Sequence, residues 1–217
     1  MLIRILLNSL MVLGASTTMA VAGAEGTYVE GTHYEVIDIP VETGLEAELP
    51  SKVEVVEVFS YMCVHCYSFD PLLARWEQDK SEQAIFNRLP AVFSQDWALM
   101  AQAFYTAEIL GVTEQMHEPL FAAIHTQPKN LRDEDIMAAL FEDNAGISTE
   151  EFNKSYNSFF VRSRVMQAQA KSRAYGITGV PMMIVNGKYR VGARMAGSNQ
   201  GMLDVVDFLV QKELAAE

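Results

Sequence analysis

The pattern of apolar residues predicts three strands and one helix in the first part of the chain. Residues 34–39 alternate loosely, whereas residues 52–60 form a nearly continuous Val and Phe run, as in a strand buried on both faces. A helical pattern follows over about residues 63–78, and a third strand lies within residues 84–93. Pro90 indicates that this third strand is at an edge of the sheet, because proline cannot donate to a strand ladder.

Apolar residues recur at helical spacing from residue 95 to residue 175. Asp96 and Thr113 are placed to cap two of these helices, and Ser148 with Glu151 has the spacing of a capping box. The helix after the capping box presents one apolar side, made of Phe152, Tyr156 and Phe159. This stretch therefore predicts a segment that is helical throughout.

Strand signals return near the C terminus. Residues 182–185 and 188–191 flank Asn186-Gly187, a strong hairpin signal because a type I′ turn needs positive φ at both central positions. A last amphipathic helix is predicted over residues 199–214. The pattern alone thus predicts a small α/β sheet domain with a helical insertion.

Residues 1–24 have the features of a signal peptide. Arg4 precedes an apolar stretch, and small residues follow it, with cleavage expected after Ala24 or Ala22. The alternative is a membrane anchor, but the apolar stretch is shorter than the roughly 20 residues that span a bilayer. Export would place the chain in an oxidising compartment, where disulfides persist.

The chain is acidic, with a net charge of −12 that becomes −13 once Arg4 leaves with the signal peptide. This charge indicates an acidic, solvated surface. It disfavours nucleic acid as a partner, because no basic patch is present to neutralise phosphates.

The only two cysteines lie in the sequence Cys63-Val64-His65-Cys66, between a predicted strand and a helix. This arrangement is typical of a dithiol that cycles between reduced and disulfide forms. Positions i and i+3 share a helix face, so the two sulfur atoms can meet. At a helix N terminus the pKa of a thiol falls from about 8.5 to roughly 3.5–7.5. We expect Cys63 to be the exposed attacking thiolate and Cys66 to resolve the mixed disulfide.

Two other uses of the cysteine pair remain open. A structural disulfide that closes a four-residue loop would contribute only about 2 kcal/mol. A zinc site would need four ligands, and the other candidates, His33, His117 and His125, are scattered along the chain.

His65 and Glu57 are further catalytic candidates. His65 can place positive charge beside the Cys63 sulfur, the alternative being a plain exposed histidine. Glu57 lies in the middle of the apolar strand, where burial would raise its pKa and suit it to accept a proton from Cys66. The alternative is a strand with one wet face, but Glu54 and Glu57 point to opposite faces, so both cannot be solvated there.

The two segments Phe-Ser-Tyr-Met-Cys-Val-His-Cys-Tyr-Ser-Phe at residues 59–69 and Gly-Val-Pro-Met-Met-Ile-Val-Asn-Gly-Lys-Tyr at residues 179–189 resemble the DsbA family of periplasmic dithiol oxidases. The resemblance implies an α/β, thioredoxin-like fold with an inserted all-helical domain. The thioredoxin-like domain would comprise residues 25–93 and 176–217, and the helical insertion residues 94–175.

The same resemblance implies roles for particular residues. Val180 and Pro181 match a substrate-binding pair joined by a cis peptide bond, and Glu57 matches a buried acid of the family. Arg88 falls where a basic residue is often found. Val64 departs from the family pattern, in which Pro is usual, and it is a redox-tuning position because the residues between the cysteines tune the redox potential.

The resemblance implies a periplasmic oxidase that introduces disulfide bonds into reduced, unfolded secreted proteins. A DsbB-like membrane quinone reductase would reoxidise it, and no bound cofactor is expected beyond the Cys63–Cys66 disulfide. We expect a monomer, because only about 30 mature residues precede the strand at 52–60, too few for a dimerisation domain. The alternatives are a disulfide isomerase or reductase of the same fold, and a redox-inert periplasmic chaperone or binding module.

Overall fold

The structure is a computed structural model that describes residues 28–43, 52–80 and 82–216. The predicted signal peptide and its cleavage site lie outside these residues. Five strands form in the described part of the chain: β1 (Glu35–Val36), β2 (Val53–Phe59), β3 (Ala84–Pro90), β4 (Met182–Val185) and β5 (Tyr189–Gly192). Eight helices accompany them: α1 (Val64–Lys80), α2 (Gln95–Ile109), α3 (Thr113–His125), α4 (Glu134–Ala145), α5 (Thr149–Tyr156), α6 (Phe159–Ala174), α7 (Ala193–Ala196) and α8 (Asn199–Leu214).

The strands form one mixed sheet in the order β1-β5-β4-β2-β3. Strand β2 is parallel to β3 and antiparallel to β4, so it lies inside the sheet, and all seven of its residues are buried. This confirms the prediction from its continuous apolar run. Strand β3 lies at an edge, as Pro90 predicts, and Pro90 is its last residue.

The two faces of the sheet are covered by different helices. Val53 and Val55 of β2 belong to a core shared with α1 and α8. Val56 and Val58 belong to a second core that is shared with the helices between β3 and β4. Helices α2 to α6 thus occupy the predicted insertion and form a layer on one face. The exact boundaries of the two domains stay a prediction.

The hairpin between β4 and β5 turns at Asn186 and Gly187, as predicted. Their φ angles are 50° and 63°, which is the positive-φ pair that a type I′ turn requires. A Cβ atom on Gly187 would lie 1.9 Å from the carbonyl oxygen of Val41, so only glycine fits this position.

The helix ends differ in part from the predictions. The capping box of Ser148 and Glu151 is confirmed. Helix α2, however, is capped by Ser94, whose hydroxyl accepts from the Trp97 amide, so the prediction for Asp96 was wrong. The prediction for Thr113 was also wrong, because it is the first residue of α3 and Val112 occupies the capping position.

Two further differences concern where a helix and a strand end. Phe159 does not share the buried side of Phe152 and Tyr156. It is 68% exposed, because the chain leaves the helix at Asn157 and a new helix begins after Ser158. The first predicted strand shortens to Glu35–Val36. Among the described residues, no helix has the length and apolarity needed to cross a membrane.

Candidate redox-active site

The two cysteines lie at the N-terminal end of α1, directly after β2. Cys63 precedes the first helical residue, and its sulfur accepts a hydrogen bond from the Cys66 amide at 3.3 Å. The sulfur therefore takes the place that a Ser or Asp oxygen usually has at a helix N-cap. Both thiols are free; Cys63 is half-buried and Cys66 is fully buried. Only Cys63 is accessible to another molecule.

The two thiols differ strongly in proton affinity. The pKa of Cys63 is lowered to about 6, first by a hydrogen bond with the Cys66 thiol, then by the backbone amides of Cys66 and His65 and the charge of His65, against the opposing effect of burial. The pKa of Cys66 is raised, because its thiol donates to Cys63 and is buried near Glu57. At pH 7 Cys63 is therefore mainly thiolate, whereas Cys66 keeps its proton.

The side chains between the cysteines point outward. His65 and Val64 are both exposed, so they lie on the surface that a partner would meet. His65 acts on Cys63 through its backbone amide and its charge.

A loop before β4 lies against the reactive sulfur. The Val180–Pro181 peptide bond is cis, as the family resemblance implies. In its protonated form the Cys63 thiol donates to the Val180 carbonyl oxygen across 3.6 Å. The predicted pair is therefore next to the cysteine, although it is separated from it by more than a hundred residues.

Glu57 lies on the α1 face of β2 and is 1% exposed. Burial raises its pKa to about 8, and the positive charge of Arg88 only partly opposes this effect. The Arg88 Nε and Glu57 Oε2 atoms are 3.3 Å apart, close enough for an ion pair, although Nε is not aligned for a hydrogen bond. Glu57 is therefore protonated near neutral pH, and its pKa is close enough to neutrality for the proton to be released and regained.

Four residues that the sequence did not assign to the site complete it. Arg88 also pairs with Asp70 on α1 at 3.2 Å, and Asp70 accepts from His117 Nε2 at 2.8 Å. The Tyr61 hydroxyl lies 3.0 Å from His117 Nδ1, and His125 Nε2 donates to the Tyr61 carbonyl oxygen at 2.7 Å.

A signal for only one of these residues was present in the sequence. Asp70 follows Cys63 by seven residues, which is two helical turns and therefore the same helix face. His117 and His125 were considered only as metal ligands. The described residues contain no group of three or more His, Cys, Asp or Glu side chains that could hold a metal ion.

Comparisons with known proteins find relatives over most of the chain. Residues 72–202 match the family model of the DSBA-like thioredoxin domain. The thiol:disulfide interchange protein DsbA of Pseudomonas aeruginosa is 37% identical over 204 residues, which cover 94% of each chain. The protein of the same name from Azotobacter vinelandii is 38% identical over 183 residues, 84% of each chain.

Solved structures give the same picture. The crystal structure of Pseudomonas aeruginosa DsbA superposes with a TM-score of 0.80 at 38% identity, covering 87% of this chain and 96% of that one. The oxidoreductase DsbA from Xylella fastidiosa superposes with a TM-score of 0.78 at 31% identity, covering 87% and 98%.

Proposed function

This chain belongs to the DsbA family of thiol:disulfide oxidoreductases, which have a thioredoxin-like fold with a helical insertion, and we propose that it is an oxidase. It would act in the periplasm and introduce disulfide bonds into exported proteins through Cys63 and Cys66. One observation carries the proposal. An accessible thiol with a pKa of about 6 lies beside a buried thiol whose pKa is raised. Stabilising the Cys63 thiolate favours the reduced protein, and a stable reduced form makes the oxidised form a strong oxidant.

The exchange starts from the oxidised protein, in which Cys63 and Cys66 are joined. A substrate thiolate attacks Cys63 Sγ, a mixed disulfide forms, and Cys66 leaves as a thiolate that takes up a proton. A second substrate thiolate then attacks the substrate sulfur of the mixed disulfide, and Cys63 leaves as a thiolate. The substrate dithiol is thereby oxidised to a disulfide and the protein disulfide is reduced to a dithiol. A leaving thiol of low pKa speeds the last step.

Glu57 is the proton carrier in this scheme. It is protonated near neutral pH, and its ionised form helps to raise the pKa of Cys66, so the two groups interact and Glu57 can supply the proton that the Cys66 thiolate takes up. In the reverse direction its carboxylate accepts the Cys66 proton. His65 lowers the proton affinity of Cys63, and Val64 tunes the redox potential.

A reduced, unfolded chain would bind across Val180 and Pro181 through backbone contacts. The surface next to Cys63 suits such a chain, because Met62 and Val64 are exposed. Beside Met62 is a pocket of about 220 Å³ whose lining is mixed: Leu99, Met100, Ile124 and Leu131 are apolar, and Asp96, Lys129, Asn130 and Arg132 are polar or charged. Unfolded proteins expose apolar residues, and this surface can contact them.

The protein needs reoxidation after each turnover. We propose that a DsbB-like membrane quinone reductase accepts the two electrons, and that this chain acts as a monomer without a bound cofactor. The Cys63–Cys66 pair supplies the redox chemistry.

The equilibrium of the Cys63–Cys66 pair with a glutathione buffer tests the proposal, with Cys63→Ser as the control that cannot exchange. An oxidase requires a potential well above that of the glutathione couple and rapid oxidation of a reduced, unfolded substrate. A potential near that of thioredoxin, about −270 mV, would instead assign a reductase. Faster rearrangement of a scrambled disulfide substrate than oxidation of a reduced one would assign an isomerase. If the cysteine pair exchanges with glutathione at no ratio of its oxidised and reduced forms, the protein would be a redox-inert chaperone.

A further inference from the structure

Helix α3 of the helical insertion reaches the redox centre through His117 and His125, and His117 is the one that contacts a charged group there. The two ring nitrogens of His117 contact different elements, Asp70 on α1 and Tyr61 in the loop before Cys63. His117 is buried and lies among the aromatic rings of Phe59, Tyr61 and Phe121. The ring therefore has a polar partner at each nitrogen and packs against three aromatic rings.

The partners define which nitrogen carries the proton. The pKa of Asp70 is lowered, with hydrogen bonds and charge from His117 and Arg88 outweighing burial. An ionised carboxylate only accepts hydrogen bonds, so His117 Nε2 carries a proton and donates it to Asp70. Whether Nδ1 accepts from the Tyr61 hydroxyl or donates to it, this contact keeps the Nε2–H directed at Asp70.

Arg88 is shared between two carboxylates. It pairs with Glu57 on β2 and with Asp70 on α1, at 3.3 Å and 3.2 Å. The hydrogen bond from His117 satisfies part of the demand of Asp70 for donors. Without it, the guanidinium of Arg88 would be drawn toward Asp70 and away from Glu57.

We propose that His117 is a positioning residue of the redox centre, which holds Asp70 so that Arg88 stays shared between Asp70 and Glu57. This inference rests on the exchange chemistry proposed above. His117 does not touch the reacting sulfur atoms, and its effect is transmitted through Asp70 and Arg88. It connects the helical insertion to the proton that Glu57 carries.

The step that reports this effect is ring closure during reoxidation. Oxidised glutathione first reacts with the Cys63 thiolate to give a mixed disulfide and one glutathione thiolate. The Cys66 thiol then gives its proton to the Glu57 carboxylate, and the Cys66 thiolate attacks Cys63 Sγ. The internal disulfide forms, the second glutathione thiolate leaves, and one oxidised glutathione has become two thiols.

The rate of ring closure depends on ionised Glu57, so it rises with pH through the pKa of that group. The charged and titratable groups around this region come from four elements and the loop that contains Tyr61 and Cys63: Glu57, Arg88, Asp70, Glu77, Cys66, Glu114, His117, Tyr61 and Cys63. Of these, Arg88 lowers the pKa of Glu57 and Asp70 raises it. The midpoint of this pH profile is the pH at which closure reaches half its maximal rate. Losing the His117 donor is expected to raise this midpoint, whereas neutralising Asp70 is expected to lower it.

The experiment follows ring closure in the full mature protein with oxidised glutathione, by acid quenching and mass spectrometry across pH. His117→Asn keeps a polar group near the Nδ1 position but loses the donor to Asp70, and the midpoint should rise by about half a unit or more, slowing closure about threefold at pH 7. His117→Gln places an amide donor near the Nε2 position and should restore the midpoint. Asp70→Asn should lower it.

The outcomes separate this inference from the proposed function. A wild-type protein that does not exchange with glutathione refutes the proposed function. An active wild type whose midpoint is unchanged in His117→Asn refutes only the role of His117, and so does a His117→Gln variant that shifts as far as His117→Asn. Circular dichroism checks that each variant folds. If His117→Asn does not fold, His117→Gln and Asp70→Asn decide together: a His117→Gln midpoint that departs from that of the wild type, or an Asp70→Asn midpoint that does not fall, overturns the inference.

Discussion

Replacing Glu57 with glutamine tests how strongly burial holds a proton on this side chain. Glu57 is 1% exposed, and its pKa is about 8 in the folded protein against 4.5 for an ordinary glutamate. Between these values the folded protein keeps a proton that the unfolded chain releases. Stability therefore falls as pH rises through this window, because the native state binds more protons than the unfolded state.

The magnitude follows from the two pKa values. Between pH 5 and pH 8 the wild type should lose about 3 kcal/mol of stability through Glu57. Glutamine does not ionise, so Glu57→Gln does not lose this stability. The free energy of unfolding of the variant minus that of the wild type should therefore be about 3 kcal/mol larger at pH 8 than at pH 5. Burial, the cause of the shift, is the same at both pH values.

Urea unfolding of the reduced proteins at pH 5 and pH 8 measures this difference. The variant Glu142→Gln is a matched control, because Glu142 is exposed on α4, and its difference from the wild type should not change with pH. A Glu57→Gln difference that is equal at the two pH values would refute a proton held by burial.

Three further outcomes are expected. In Cys66→Ala the pKa of Cys63 should rise above about 6, because the thiol of Cys66 is the largest cause of its lowering; titration of the thiolate ultraviolet absorbance measures it. Ser148→Ala should lower the free energy of unfolding by about 1 kcal/mol in urea, since the side chain caps α5. Gly187→Ala should cost about 2 kcal/mol or more in the same assay, because its Cβ would collide with Val41.

The elements that could be predicted from the sequence are those with local causes. The buried strand β2, the Asn186-Gly187 turn and the capping box at Ser148 each follow from a few adjacent residues. One of the errors arose where two local signals compete. Ser94 and Asp96 both suit a helix cap, and only the path of the chain after β3 decides between them.

The site divides along the same line. Cys63 and Cys66 could be identified because two cysteines three residues apart at the start of a helix are typical of a redox-active dithiol. Glu57 could be identified because an acid in an apolar strand is unusual. The contacts of His117 join α3 to α1 and to the loop before the cysteines. No local pattern encodes such a contact, since it depends on how the helical insertion packs against the sheet.

The shared core has a consequence for the helical insertion itself. The cluster that contains Val56 and Val58 also contains Cys66 and continues into the helices between β3 and β4. Removing or exchanging that segment would open one side of the apolar cluster around the Cys66 thiol and admit water to it. Hydrated, Cys66 would lose part of the desolvation that helps it keep its proton. The helical insertion therefore helps to keep water away from the Cys66 sulfur. A replacement segment would have to exclude water from that atom as well as restore the fold.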